Sequence, residues 1–373
     1  MEKVNWFVDK YKSKLPKLNQ FKKSFEKIHI GKHFVLLPNQ KLTTELVVTL
    51  GNLLDSKDNN KDFDELTARH EAVFKDVINN YELITRSTEK KNYNGEGLKI
   101  NRICRFCDRK YPDAKFSNEA HAISEALGNK CIIVNDECDE CNSYFDENIE
   151  RDIICYLSLY VTHFGIRGKH QVPKIKGANY VHENIGNNNT SLQFVSDDDF
   201  EDGNLPQNLK LKSYDTIAVQ NIYKALCKFA LSIIDRRYID ACKDTIKWLK
   251  TDNFNGKLPK IAVLAEYHFF KKHPEMLVYI RKNDNKKLPY MVGEFQFTYM
   301  KFVFIIPFSS QDDNAFVDEE NYNVFWESFT HYNQVSGWKF MDFSNSEKRN
   351  VVFNMNFVKN EDAKNISPAL PTD

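Results

Sequence analysis

The sequence predicts an α+β chain. A helical N-terminal region leads into a compact cysteine-rich module, followed by a helical segment and an antiparallel, β-rich C-terminal domain. Three observations carry that order. Apolar residues recur at three- and four-residue spacing up to about residue 86. Five of the eight cysteines crowd between residues 104 and 141. After residue 259, short aromatic and β-branched runs alternate with Asn, Asp, Gly and Pro turns. The chain has 373 residues, 42% of them hydrophobic, with 28 Phe and 17 Tyr, which is enough for two or three packed domains. The boundaries fall at residues 1–97, 98–163, 164–214 and 215–373, the third being a polar connecting region.

The first element is a helix carrying Trp6, Phe7, Tyr11, Leu15, Leu18, Phe21 and Phe25, interrupted at Pro16. SKDNNKD (56–62) reads as a solvated loop. A second helix from about Asp62 to Arg86 carries Phe63, Leu66, Val73, Phe74, Val77, Ile78 and Tyr81. KKNYNGEG (90–97) marks the next boundary. After the cysteines, residues 145, 149, 153, 156, 157 and 160 are apolar, which is the stripe of an amphipathic helix starting right after Asn142. Residues 165–212 are polar and broken by Gly and Pro, with room for short strands, and SDDDFED reads as a solvated loop. Helix returns over 215–251, then strands, then a frayed tail, EDAKNISPALPTD.

Composition narrows the function. Lys+Arg and Asp+Glu balance at 52 each, so a nucleic-acid partner would need a local positive surface. No run of roughly 18 apolar residues predicts a membrane span. The charged start, MEKVNWFVDKYKSK, lacks a signal peptide's apolar centre, so the expected compartment is the cytoplasm. Thiols stay reduced there, and clustered cysteines then favour metal over disulfides. Cys155, Cys227 and Cys242 sit in apolar helical contexts and read as small buried hydrophobes, as Cys131 does between the pairs. No phosphate-cradling glycine loop and no Gly-x-Ser-x-Gly elbow occurs. His268 and His273 lack the carboxylate pattern of zinc proteases and are placed on a strand and its turn.

Cys104-x-x-Cys107 and Cys138-x-x-Cys141, thirty residues apart, form a four-thiolate set. Each turn can aim two thiolates at one ion about 2.3 Å away, and two turns close a tetrahedron. With no open position, the zinc is structural. Between the pairs lies His121, and Asn142 follows the second pair. A lone histidine in an apolar strand is ordinarily a satisfied core residue. An asparagine at a helix start is ordinarily a cap. Their setting around the cysteine pairs singles them out.

CRFC (104–107), AHAISEALGN (120–129), NDECDECN (135–142) and the apolar helix that follows together resemble the HNH endonucleases of the ββα-metal, or His-Me finger, type. The resemblance covers about 60 residues and implies a zinc-stapled ββα-metal module. It implies that His121 is the general base for the attacking water, a role suited to an imidazole titrating near neutrality. It implies that Asn142 is a metal ligand and that Asn135 orients the histidine. A catalytic Mg²⁺ or Mn²⁺ ion would bind Asn142 and the scissile phosphate, with Asp146 and Glu119 as further ligands. Two departures stand out. Ala120 occupies the position of the acid that many members carry before the histidine, and Glu119 shares the strand face of His121. Ser124 stands where many have Pro, and Glu125 follows it.

The resemblance implies DNA, double- or single-stranded, as substrate. Residues 101–160 hold seven basic and twelve acidic side chains, so phosphate contacts must come from elsewhere. The candidates are FKKSFEK (21–27), IRGKHQVPKIKG (166–177) and IRKNDNKK (280–287), the middle one first because it directly follows the module. The C-terminal domain then serves sensing, homodimerisation or docking of a protein partner, a layout seen in bacterial defence effectors. Two other readings stay open: an inactive zinc-ribbon binding module, and RNA cleavage.

Overall fold

The computed structural model describes residues 2–15, 18–26, 28–35, 44–88, 90–187, 189–195, 208–266 and 270–356. Pro16, SDDDFED, His268 and the tail 361–373 lie outside the described residues. The chain divides into two compact units, residues 1–79 and 80–373.

The first unit is helical: α1 (Glu2–Tyr11), α2 (Leu18–Phe25), α3 (Thr44–Asn59) and α4 (Phe63–Asn80). Two expectations are corrected here. Residues 56–59 continue α3, so only the end of SKDNNKD is loop. The predicted second helix stops at Asn80, and Tyr81–Thr85 form strand β1 instead. YELIT is rich in β-favouring Tyr, Ile and Thr, a short strand signal in a window dominated by the preceding helix period.

The second unit begins with that strand. β2 (Asn92–Asn94), β3 (Ala120–His121) and β4 (Ile132–Val134) make a small sheet in the order β2-β4-β3. The boundary stretch KKNYNGEG therefore supplies a strand to the cysteine-rich module. Helix α5 (Asp139–Phe145) runs through one π-helical turn (Asp146–Glu150) into α6 (Arg151–His163). Phe145, Ile149, Ile153, Tyr156, Leu157 and Tyr160 are all buried, as the stripe predicts.

The polar connecting region holds a meander of β5 (Ile175–Lys176), β6 (Tyr180–Gly186) and β7 (Asn189–Phe194). β8 (Asn208–Ala218) follows, so residues 215–218 are strand, not helix. Next come α7 (Val219–Ile233), a 3-10 segment (Arg236–Cys242), α8 (Lys243–Leu249), β9 (Ile261–Ala265), β10 (Lys271–Arg281), β11 (Met291–Thr298) and β12 (Met300–Ile305). The described residues close with α9 (Glu319–Ser328), α10 (Thr330–Asn333), β13 (Lys339–Met341) and β14 (Lys348–Asn356), the last paired with β8. His273 sits on β10.

The main sheet is six-stranded and antiparallel, in the order β1-β10-β11-β12-β9-β13. β11 is buried along its whole length because both faces are covered. Phe295 and Phe304 meet Phe229 and Tyr223 of α7 on one face. Glu294 meets Tyr332 of α10 on the other. Gly293 lets the Phe304 ring lie across its strand, since a Cβ there would come within 2.2 Å of that ring. Helix α7 is thus a central rod with the sheet on one side and the cysteine-rich module on the other. Among the described residues, no helix is long and apolar enough to cross a membrane.

Candidate active site and metal centre

The two cysteine pairs converge. The sulfurs of Cys104, Cys107, Cys138 and Cys141 all lie within 4.8 Å of one another. Cys107 and Cys138 are 3.7 Å apart. Ligands about 2.3 Å from a tetrahedral zinc would be separated by about 3.8 Å, so the cluster fits a zinc knuckle pair. Cys131 stays outside it. Asp108 takes a left-handed conformation (φ 54°) to close the first knuckle. The donors around the sulfurs suit thiolates: the Cys138 amide lies 3.4 Å from Cys104 Sγ, and Lys250 Nζ of the α8 end lies 3.4 Å from Cys141 Sγ. A four-thiolate zinc site carries excess negative charge, and Lys250 offsets part of it.

The knuckles bring the predicted site residues into one ββα unit. β3 pairs with β4 in the register Ala120 to Val134 and His121 to Ile133. Asn129 locks the loop between them. Its amide donates to the Ile123 and Ile132 carbonyls, and its oxygen accepts from the Cys131 and Ile132 amides. Gly128 ends the turn Glu125–Leu127 with φ 90°, a conformation that favours glycine. Asp139 at the start of α5 accepts from the Ser117 and Asn118 amides, tying the approach to β3 onto the helix that bears Asn142.

Each predicted residue can now be placed. His121 is on β3, its side chain one-fifth exposed and its Nδ1 without a hydrogen-bond partner. Burial pulls its pKa below the ordinary imidazole value. Glu125 and Glu119 push it back up, while Lys228 and Lys91 add to the fall. The imidazole is therefore kept as a free base near neutrality. Asn135 follows β4, and its main-chain N–H donates to the Asn94 carbonyl of β2. Asn142 is half-buried within α5; the helix opens at Asp139 with Cys138 at the cap position, so Asn142 neither starts nor caps it. That frees its side chain from the capping role. Asp146 is exposed one turn on, where α5 passes into the π-helical turn. Glu119 is engaged by Lys91, whose ammonium lies 2.8 and 3.0 Å from its two oxygens. Among the described residues, His, Cys, Asp and Glu side chains form no second cluster of three besides the four cysteines. A hard divalent cation that keeps most of its waters needs only one or two protein oxygens.

Several residues that the sequence reading did not single out shape this site. Glu125 Oε2 lies 3.8 Å from His121 Nε2. Lys228 of α7 reaches through the core to donate to the His121 carbonyl at 3.1 Å. Its ammonium also lies 2.8 Å from Glu150 and 3.5 Å from Glu137, and all three side chains are buried. Arg105 of the first knuckle is fully buried; it forks onto Asp136 and donates to the carbonyls of Leu231, Ser232 and Ile234 at the end of α7. Asn94 of β2 donates to Ser232 and Ile234 as well. Helix α7 loses its last carbonyls to the interior, and these donors satisfy them.

The fold and site together define a zinc-knuckle ββα module built into a larger α+β unit. Residues 104–158 match the HNH endonuclease family model. No curated protein matches the chain, and no solved structure does.

Proposed function

We propose that this chain is a metal-dependent endonuclease that hydrolyses phosphodiester bonds in DNA, with His121 as general base and Asn142 as a ligand of the catalytic ion. The observation that carries the proposal is His121 itself: a partly exposed imidazole, kept neutral by burial, on the strand that the zinc knuckles fasten to the helix bearing Asn142. His121 takes the proton of the attacking water. Glu125, within 3.8 Å, stabilises the imidazolium that results. Asn135 lies at the end of β4, next to the strand pair that holds His121, and is assigned the orienting role. Asn142 of α5 and Asp146, one turn further along in the π-helical turn, are assigned as the oxygen ligands of the catalytic ion. A Mg²⁺ or Mn²⁺ ion held there would stabilise charge on the leaving 3′ oxygen.

A second reading, a zinc-stapled binding module without catalysis, is favoured by one feature. Ala120 offers no carboxylate beside the histidine, and Lys91 occupies Glu119. The deciding experiment gives the purified chain supercoiled plasmid, single-stranded DNA and RNA in Mg²⁺, Mn²⁺ or chelator, beside His121→Ala loaded with zinc. Metal-dependent DNA cleavage that disappears in the variant supports the endonuclease. Cleavage confined to RNA replaces the substrate, and equal cleavage by both proteins removes His121 from its role. Binding without cleavage by the wild type favours the second reading.

A further inference from the structure

The nuclease module is acidic overall, so most of the positive charge that holds its substrate must come from outside it. A cleft of about 460 Å³ opens beside the β3–β4 loop, lined in part by Lys130, Arg167, Lys272, His273, Asn184 and Asn187, with no Asp or Glu in its lining. We infer that this cleft binds the phosphodiester backbone of the polynucleotide next to the bond being cut, an inference that rests on the endonuclease reading above.

Four features support it. First, Lys130, Arg167 and Lys272 are exposed, and among the described residues none of them pairs with a carboxylate. They come from three separate stretches of chain, so the fold itself assembles the charge. Second, the cleft is built onto the catalytic hairpin. Gly128 in its wall ends the turn whose first residue, Glu125, contacts His121. His273 Nδ1 bonds the Gly128 carbonyl at 3.3 Å. The segment bearing Arg167 is pressed against the same turn: a Cβ on Gly168 would meet the Glu125 carbonyl and Ala126 Cα at 3.1 Å. Third, the lining adds polar groups able to meet phosphate and sugar, the Asn187 amide and the free edge of His273, beside the apolar Phe164, Ile166 and Val172. Fourth, the other clefts offer fewer unengaged cations among the described residues. A cleft of similar size near β8 and β14 has Lys212 and Arg349 among its cations, and both are already partnered. The cleft beside α6 mixes Lys224 and Lys348 with Glu147, Asp152 and Asp252. In the 280–287 strip, Arg281 is buried, bonded to the Leu288 and Gln311 carbonyls and paired with Asp312.

The test measures binding separately from cutting. Full-length, zinc-loaded His121→Ala protein is titrated with fluorescent duplex and single-stranded DNA over a range of salt. The same titration is run with Lys130→Ala, Arg167→Ala and Lys272→Ala added singly and together, and with Lys286→Ala/Lys287→Ala as a control for net charge. Each cleft substitution should weaken binding and reduce the log K against log salt slope for duplex by roughly 0.9 per lost phosphate contact. The control pair should leave the slope unchanged. Conservative Lys130→Arg and Lys272→Arg changes should retain it. An unchanged slope in the triple variant overturns the inference. So does loss of ATP or inorganic phosphate binding in the triple variant with DNA binding intact, which would mark a small-anion site. Wild-type protein that binds DNA through the cleft and cuts nothing would keep this inference and remove the endonuclease reading. Wild-type-level cleavage by a Lys130→Ala/Arg167→Ala/Lys272→Ala protein that keeps His121, with unchanged affinity, would do the reverse.

Discussion

Lys228 Nζ lies 3.1 Å from the main-chain carbonyl of His121 and 2.8 Å from Glu150. One buried ammonium thus joins the strand bearing the candidate base, the π-helical turn beyond Asn142 and the central helix α7. An irregular turn that places a buried carboxylate on such a cation is the sort of π-bulge found at functional sites. Removing the cation leaves Glu150 buried and unpaired, which costs about 3–5 kcal/mol. Lys228→Met should therefore lower stability by that order and reduce cleavage. In Lys228→Met/Glu150→Leu/Glu137→Gln the charge penalty is relieved, so stability should recover while cleavage stays low, because no donor holds the His121 carbonyl. Denaturant unfolding and cleavage rates on the same zinc-loaded proteins decide it. Full recovery of both would reduce Lys228 to a packing residue.

The base itself sets a pH dependence. Catalysis by the proposed route needs neutral His121, whose fraction rises with pH and saturates above its pKa. Burial holds that pKa below the ordinary imidazole value, so the acid limb of kcat/KM should lie below about pH 6.5. Glu125 favours the imidazolium, so Glu125→Gln should move the limb further toward acid. A limb that moves toward neutrality in that variant would contradict the electrostatics.

Much of this arrangement was legible in the chain. The convergence of the four cysteines was legible in their spacing, as was the placing of His121 and Asn142 in the unit around them. Strands β1 and β2 were not, because each is short and follows a helical or polar stretch that dominates any window long enough to show a period. The interior of Asn142 within α5 was missed because a cysteine holds the cap position, where Ser, Asp or Asn is the usual signal. Lys228 did leave a trace. In VQNIYKALCKFALSI nearly every residue is buried, and Gln220, Lys224 and Lys228 stand four apart along one side. Lysines at that spacing on a helix otherwise apolar all round suggest partners in the core, yet spacing cannot say that those of Lys228 are Glu150, Glu137 and the His121 carbonyl, far upstream. The cleft was half visible: the 166–177 segment was the first choice for phosphate contacts and supplies Arg167, whereas Lys130 and Lys272 join it only through folding.

Glu137 predicts how stability should depend on pH. Its carboxyl is pushed up to about 7, chiefly by burial, with Lys228 opposing and Glu150 reinforcing the rise. Unfolding returns it to the ordinary value of 4.5. A raised folded pKa contributes stability that is fully present below the unfolded value and is lost as pH rises through the folded one. Unfolding free energy should thus carry a falling component between about pH 5 and about pH 8, and Glu137→Gln should remove it. Denaturant midpoints across that range measure it; identical slopes for the two proteins would show that Glu137 ionises freely in the fold.

The zinc centre should support more than its own module. Cys104 and Cys107 flank Arg105, and that guanidinium holds three carbonyls at the end of α7 while pairing with Asp136, two residues before Cys138. If the knuckles open, Arg105 and Asp136 lose the turn geometry that aims them, and the α7 carbonyls are left buried without donors. Each such loss costs about 1–3 kcal/mol. Cys107→Ser, or removal of zinc by chelator, should therefore abolish cleavage and also destabilise the helix that lies against the main sheet. Metal analysis should find one zinc per chain in the wild type. Hydrogen exchange on the zinc-free protein should show lost protection at Leu231–Ile234 along with residues 104–141. Protection lost only within 104–141 would mean that the C-terminal domain stands without its metal, and that the knuckles fasten the nuclease module alone.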